Sequence, residues 1–176
     1  MTPGGSPPSR AAELRAGAPA DMFVAMTDRA KAPRVAISSS QRAVRVPRKK
    51  IARLVAFLGR AEGVRIAEVD VAVVDRDGIA ALNRRYLARA GATDVLSFDL
   101  SDSAAEGIVA QLVVCGVAAA AQAAARGVGV QRELLLYVTH GLLHLTGYDD
   151  GTARGAARMH AREEEILDAF LARYKR

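Results

Sequence analysis

The chain has 176 residues, 51% of them hydrophobic, with 25 Lys and Arg against 19 Asp and Glu for a net charge of +6. That length fits one domain with ample material for a core, and no run of about 18 uncharged apolar residues offers a membrane span. A single cysteine, Cys115, excludes an internal disulfide framework and a cysteine metal cage and points to a reducing, cytoplasmic setting.

Residues 1–33 are rich in Pro, Gly, Ala and Ser without a sustained period, and a disordered extension is expected there. No apolar segment follows a basic cluster, so no secretory signal is expected, and Met1, Met22 and Met26 all stand as candidate starts. A single folded domain is expected over 34–176. "VAISSS" (35–40) reads as a strand. The helix expected over 47–64 opens at Pro47, ends at Gly63, and spaces Ile51, Leu54, Val55 and Leu58 along one face. "IAEVDVAVVD" (66–75) reads as a buried strand, and Asp77 is placed to cap a helix over 78–88. Strands are expected over 94–100 and 107–116. An alanine helix over 117–127 closes at Gly127. An apolar helix follows over 130–146. The last helix, 152–174, carries apolar Ala156, Met159, Ile166, Leu167 and Phe170. This order predicts an α+β fold: a small mixed four-stranded sheet packed with about five helices.

The chemistry concentrates in "HGLLHLTGYDD" (140–150), which holds two of the three histidines. Residues four apart on a helix lie about 40° apart on one face, so His140 and His144 can aim ring nitrogens at one ion, as zinc-binding H-x-x-x-H pairs do. Gly147 can end the helix in a left-handed conformation and bring Asp150 back as a third ligand. His160 is the alternative third ligand. Asp150 could instead cap the last helix, a role that Asp149 can fill. The residue after His140 is Gly141, where a zinc peptidase needs its glutamate base.

The same stretch resembles the YbeY family of bacterial endoribonucleases, whose signature H-G-x-L-H-L-x-G-Y-D-H it matches at every fixed position but the last. "LNRRYLARAGATDVLSF" (82–98) is similar to the family's L-N-x-x-Y-R and T-D/N-V-L-S-F, and "AQLVVC" (110–115) loosely to its G-D-I-V-I strand. The resemblance covers about 35–172. It implies a metal-dependent, single-strand-specific endoribonuclease acting in ribosomal RNA maturation at the 16S 3′ end and in ribosome biogenesis. It also implies one Zn²⁺ per chain, or Mn or another divalent ion, and rRNA, the ribosome or ribosomal proteins as partners. No membrane and no small organic cofactor are expected. Two positions depart from the pattern: Asp150 stands for the third ligand histidine and Leu87 for the family arginine. With a carboxylate ligand the zinc site carries +1 rather than +2, which weakens activation of bound water or favours a harder metal. The candidate catalytic residues are His140 and Arg89, with Arg84 and Arg85 as other replacements for the absent arginine.

"RAVRVPRKKIAR" (42–53) has six basic residues and no acid. Arg48, Lys49 and Lys50, with Arg84 and Arg85, are therefore the candidate RNA contacts. Tyr86, Phe98 and Tyr148 are the candidate stacking aromatics, with core packing favoured for Phe98. Thr93 and Ser97 serve equally as substrate contacts or as turn and strand residues. Two other readings stand beside the nuclease: an RNA- or ribosome-binding homologue that keeps the fold without full catalysis, and a two-histidine, one-carboxylate iron oxygenase.

Overall fold

In the computed structural model the described residues are 32–87, 93–103 and 106–174. They form β1 (Arg34–Ser39), α1 (Arg48–Ala61), β2 (Ile66–Val74), α2 (Arg76–Leu87), β3 (Val95–Asp99), β4 (Ile108–Cys115), α3 (Gly116–Arg126), α4 (Val130–Leu145) and α5 (Ala153–Arg173). The fold is α+β as expected, with each predicted element present and its ends within three residues of those expected. The expected disordered extension falls almost wholly on residues 1–31, outside the described residues. No described helix is long and apolar enough to cross a membrane.

The sheet has strand order β1-β2-β4-β3. The first three strands are parallel, and β3 runs antiparallel to β4. Along β2, Val69, Val71 and Val73 are buried while Asp70 between them is exposed. One face of the sheet is thus the core side. α1 buries Ile51, Leu54, Val55 and Leu58 completely, the face that its spacing predicted. Each such side chain contributes roughly 1.5–3 kcal/mol of transfer free energy.

α4 is the central helix. Every residue from Glu133 to Leu143 is buried except His140, the pattern of a helix packed on all sides. Its rotation is set by Gly141, where an added Cβ would lie 2.8 Å from Ser97 Oγ on β3 and 2.9 Å from Leu112 Cδ2 on β4. Only a glycine lets the helix backbone sit this close to the sheet, and a glutamate base could not occupy that position. Ser97 therefore packs beneath α4.

One expected cap moves. The side chain of Asp75, not Asp77, accepts the amide of Gly78 at 2.8 Å. Asp75 immediately precedes the helix, the position from which a side chain reaches the first free amides, while Asp77 lies in the first turn of α2, where its charge complements the helix dipole.

Candidate metal centre

The end of α4 builds the site. Gly147 takes φ 99°, and the Tyr148 amide donates to the Leu143 carbonyl at 3.1 Å, the six-to-one bond of a Schellman turn. The chain reverses, and Asp150 returns to the histidines. His140 Nε2 and His144 Nε2 are 3.1 Å apart. Asp150 Oδ2 is 3.9 Å from His140 Nε2, and Oδ1 is 3.8 Å from His144 Nε2. The three side chains form a group whose donor atoms all lie within 4.8 Å of one another.

Asp150 spends no oxygen on a cap. The cap of α5 expected from Asp149 is not made: Asp149 accepts the Gly151 amide at 3.0 Å to close a local turn, and Thr152 Oγ1 caps α5 by accepting the Gly155 amide. A hydroxyl at the residue immediately before the helix has the shorter reach that this geometry needs.

The other nitrogen of each ring is already committed. His140 Nδ1–H donates to Glu163 Oε1 at 2.6 Å, and His144 Nδ1–H donates to the Tyr148 carbonyl at 3.1 Å. In the neutral rings both Nε2 atoms then present lone pairs to each other, an arrangement that a cation between them relieves. Zinc ligands at about 2.0–2.2 Å in tetrahedral array lie about 3.3–3.5 Å apart. The imidazole pair, at 3.1 Å, reaches that spacing by parting a few tenths of an ångström, and Asp150, 47% exposed on a turn, by closing in about half an ångström. The donor set fits a divalent ion.

Glu163 is the residue that sequence reasoning missed. Its neighbours aim it: Arg162 pairs with Glu62 beyond α1 at 2.8 Å, and Glu164 pairs with Arg132 on α4 at 2.7 Å. Glu164 raises the pKa of the Arg132 guanidinium against burial; burial pulls that of Arg162 down, but Glu165 and Glu62 together raise it above its ordinary value. Its second oxygen faces His160 Nδ1 at 3.4 Å. His160, the alternative third ligand, thus lies outside the convergent group and on the far side of Glu163, because α5 points it at solvent, 66% exposed.

A cleft of about 250 Å³ opens beside the trio, and Thr93, Arg126, Tyr137, His140, His160 and Glu163 are among its walls. Arg89 lies outside the described residues. The basic segment is not brought to this cleft. Arg48, Lys49 and Lys50 line a separate groove of about 790 Å³ with Gln131, in the first turn of α4, some 14–20 Å along the helix from the histidines at 1.5 Å per residue. Arg48 donates to the Ile37 carbonyl and Lys50 to Gln131. Arg84 and Arg85 are exposed at the end of α2. Tyr86 stands edge-on to Phe98, and Arg85 covers its ring. Phe98 packs against the core, as favoured. Tyr148 is half-buried under Arg158, and burial raises its phenol pKa.

The profile of the family described as Endoribonuclease YbeY matches residues 35–171. The chain belongs to the YbeY family. It is 38% identical to the Endoribonuclease YbeY of Macrococcus caseolyticus over 129 residues, covering 69% of this chain and 84% of that protein. It is 39% identical to that of Moorella thermoacetica over 126 residues, covering 65% and 81%. The solution structure of TM1509 from Thermotoga maritima superposes with a TM-score of 0.56 at 24% identity, covering 80% of this chain and 91% of that one, and shares the fold.

Proposed function

We propose that this YbeY-family chain is a metal-dependent endoribonuclease, specific for single strands, acting in ribosomal RNA maturation and ribosome biogenesis in the cytoplasm. Membership of a family named for endoribonuclease activity supports the reaction class. The observation that carries the metal dependence is the meeting of His140 Nε2, His144 Nε2 and the Asp150 carboxylate, with both Nδ1 atoms already engaged. His140, His144 and Asp150 would hold one zinc ion, or a harder ion such as Mn given the carboxylate. Such an ion supplies Lewis acidity toward a phosphate oxygen and acidifies water. The protein's part is to keep both rings in one tautomer through Glu163 and the Tyr148 carbonyl, and to offer an open side at the exposed Asp150.

The test is metal analysis of the purified chain and of His144→Ala, alongside cleavage of single-stranded and duplex oligoribonucleotides with and without chelator. Stoichiometric metal in the parent, its loss in His144→Ala and chelator-sensitive cleavage of the single strand are expected. Equal, negligible metal in both proteins removes the basis of the reading. Leu87 and Asp150 favour a second reading, an RNA-binding homologue with weakened catalysis. It predicts RNA association that His140→Ala leaves intact, with little or no cleavage by the parent.

A further inference from the structure

The walls of the cleft beside the metal trio carry the carboxylates of Asp94 and Glu163. An anionic phosphodiester enters such a space only where a cation offsets them. Among the described residues lining it, Arg126 is the one with a permanent positive charge. Arg126 ends α3, immediately before the left-handed Gly127. Its Nη1 lies 3.2 Å from Oε1 of Glu133, whose side chain is wholly buried while that of Arg126 is 50% exposed.

That pairing fixes where the guanidinium sits. A buried carboxylate without a cation is strongly unfavourable, and neither buried Glu133 oxygen has a hydrogen-bond partner, so the ion pair at 3.2 Å is what draws Arg126 toward Glu133. A guanidinium has five N–H donors in a planar fork, which leaves the other edge for a ligand. Glu133 and His140 are seven residues apart on α4. At 100° per residue they lie within about 20° of each other, two turns or about 10 Å apart along the axis. One rigid helix thus sets the spacing between the tethered arginine and the first metal-site histidine. The motif position that carries an arginine in the resembling family is Leu87 here, yet the cleft still has its guanidinium.

We infer that Arg126, tethered by Glu133, is the residue that contacts the non-bridging oxygens of the substrate phosphodiester in this cleft. This rests on the endoribonuclease reading above. A planar fork matches phosphate oxygens two at a time, and the contact draws the scissile group toward the open side of the trio.

The experiment compares the full chain with Arg126→Ala and Arg126→Lys. It follows cleavage of a single-stranded oligoribonucleotide, equilibrium binding of its non-cleavable 2′-O-methyl analogue against salt, metal content and thermal midpoint. Arg126→Ala is expected to lower kcat/KM on the order of 100-fold, the scale of losing one donor to transition-state charge. Millimolar guanidinium partly restores it, and metal content stays unchanged. The salt slope of analogue binding falls by about 0.7, one phosphate contact on a single strand. Arg126→Lys falls between, since it keeps the charge and loses the fork. Two results overturn the inference: an Arg126→Ala protein that cleaves and binds within twofold of an active parent, or one whose loss is accompanied by loss of metal. A parent that neither cleaves nor binds RNA sinks the endoribonuclease reading itself, and this inference with it.

Discussion

Glu163 Oε1 accepts the Nδ1–H of His140 at 2.6 Å, from a carboxylate that is only 8% exposed. The contact spans 23 residues of sequence and ties α5 to the metal-facing ring of α4. It fixes the tautomer that leaves the Nε2 lone pair free to ligate. Loss of such a partner typically costs 10–100-fold in metal affinity. Glu163→Ala is therefore expected to weaken zinc binding by about that factor in chelator competition. Glu163→Gln, whose carbonyl oxygen can still accept the proton, loses less. Equal affinity in the parent and Glu163→Ala would contradict this role.

Gly141 is argued from space. An alanine there gains about 1 kcal/mol of helix propensity over glycine. Against that, its Cβ meets Ser97 Oγ at 2.8 Å and Leu112 Cδ2 at 2.9 Å, and overpacking a tight contact costs about 1–3 kcal/mol. The clash wins. Gly141→Ala is expected to lower the urea midpoint, through a net loss of up to ~2 kcal/mol. Pairing it with Ser97→Gly recovers part of the loss. A stabilised Gly141→Ala protein shows that propensity outweighs packing here.

These two residues mark what was readable beforehand. The histidine spacing, the turn glycine and the returning aspartate are local, so their meeting at the end of α4 follows from helix geometry. Glu163 sits in the run Glu163-Glu164-Glu165, which reads as a solvated face, and its partner lies on another helix. A signal was present: Met159, Glu163, Ile166, Leu167 and Phe170 form one buried stripe, and an acid on an apolar stripe at helical spacing marks an inward carboxylate. The basic segment at 42–53 announced charge but not place. Which end of α4 it reached depends on the packing of α1 against the sheet, a tertiary relation without a local trace. Ser97 and Thr93 were indistinguishable in sequence; the sheet puts one under Gly141 and the other on the cleft.

Asp150 separates ligation from capping. Its carboxylate makes neither the Gly155 nor the Gly151 contact, so removing it should leave α5 intact. Asp150→Ala is expected to keep the thermal midpoint of the metal-free protein and to lose at least 10–100-fold in metal affinity, more than loss of an outer partner. Asp150→His retains metal, restores the +2 site charge and shifts the pH–rate profile for cleavage to lower pH, because a more positive site acidifies water more strongly. A lower midpoint with unchanged metal affinity in Asp150→Ala would assign the residue to structure.

The two basic regions are expected to contribute to binding and not to the rate of the chemical step. Arg84→Ala with Arg85→Ala, or Lys49→Ala with Lys50→Ala, removes two charges. Each pair lowers the salt slope of single-strand binding by at most about 1.4, at ~0.7 per phosphate contact. Arg48 is excluded because its guanidinium is spent on the Ile37 carbonyl. Neither pair touches the cleft wall, so kcat at saturating RNA should stay within about twofold while KM rises, the mark of uniform binding. A kcat loss comparable to that of His144→Ala places those charges at the reacting phosphate.

Glu133 supplies a pH dependence whose sign is fixed by its burial. Desolvation pushes its carboxyl above the ordinary value, against the pull of Arg126 and Arg132, with Asp94 and Glu164 adding to the rise. Between the unfolded glutamate value of about 4.3 and the raised folded value, the folded chain holds a proton that the unfolded chain has released. Stability from this group therefore falls as pH rises through that window. Glutamine cannot titrate, and the other titrating groups are common to both proteins. The thermal midpoint of Glu133→Gln minus that of the parent is thus expected to increase from pH 4 upward and to level off above the folded value. Each 1 kcal/mol of relieved penalty is worth about 2–4 °C in a chain of this size. A difference that decreases with pH means that the Arg126 pair outweighs desolvation and holds Glu133 below its ordinary value.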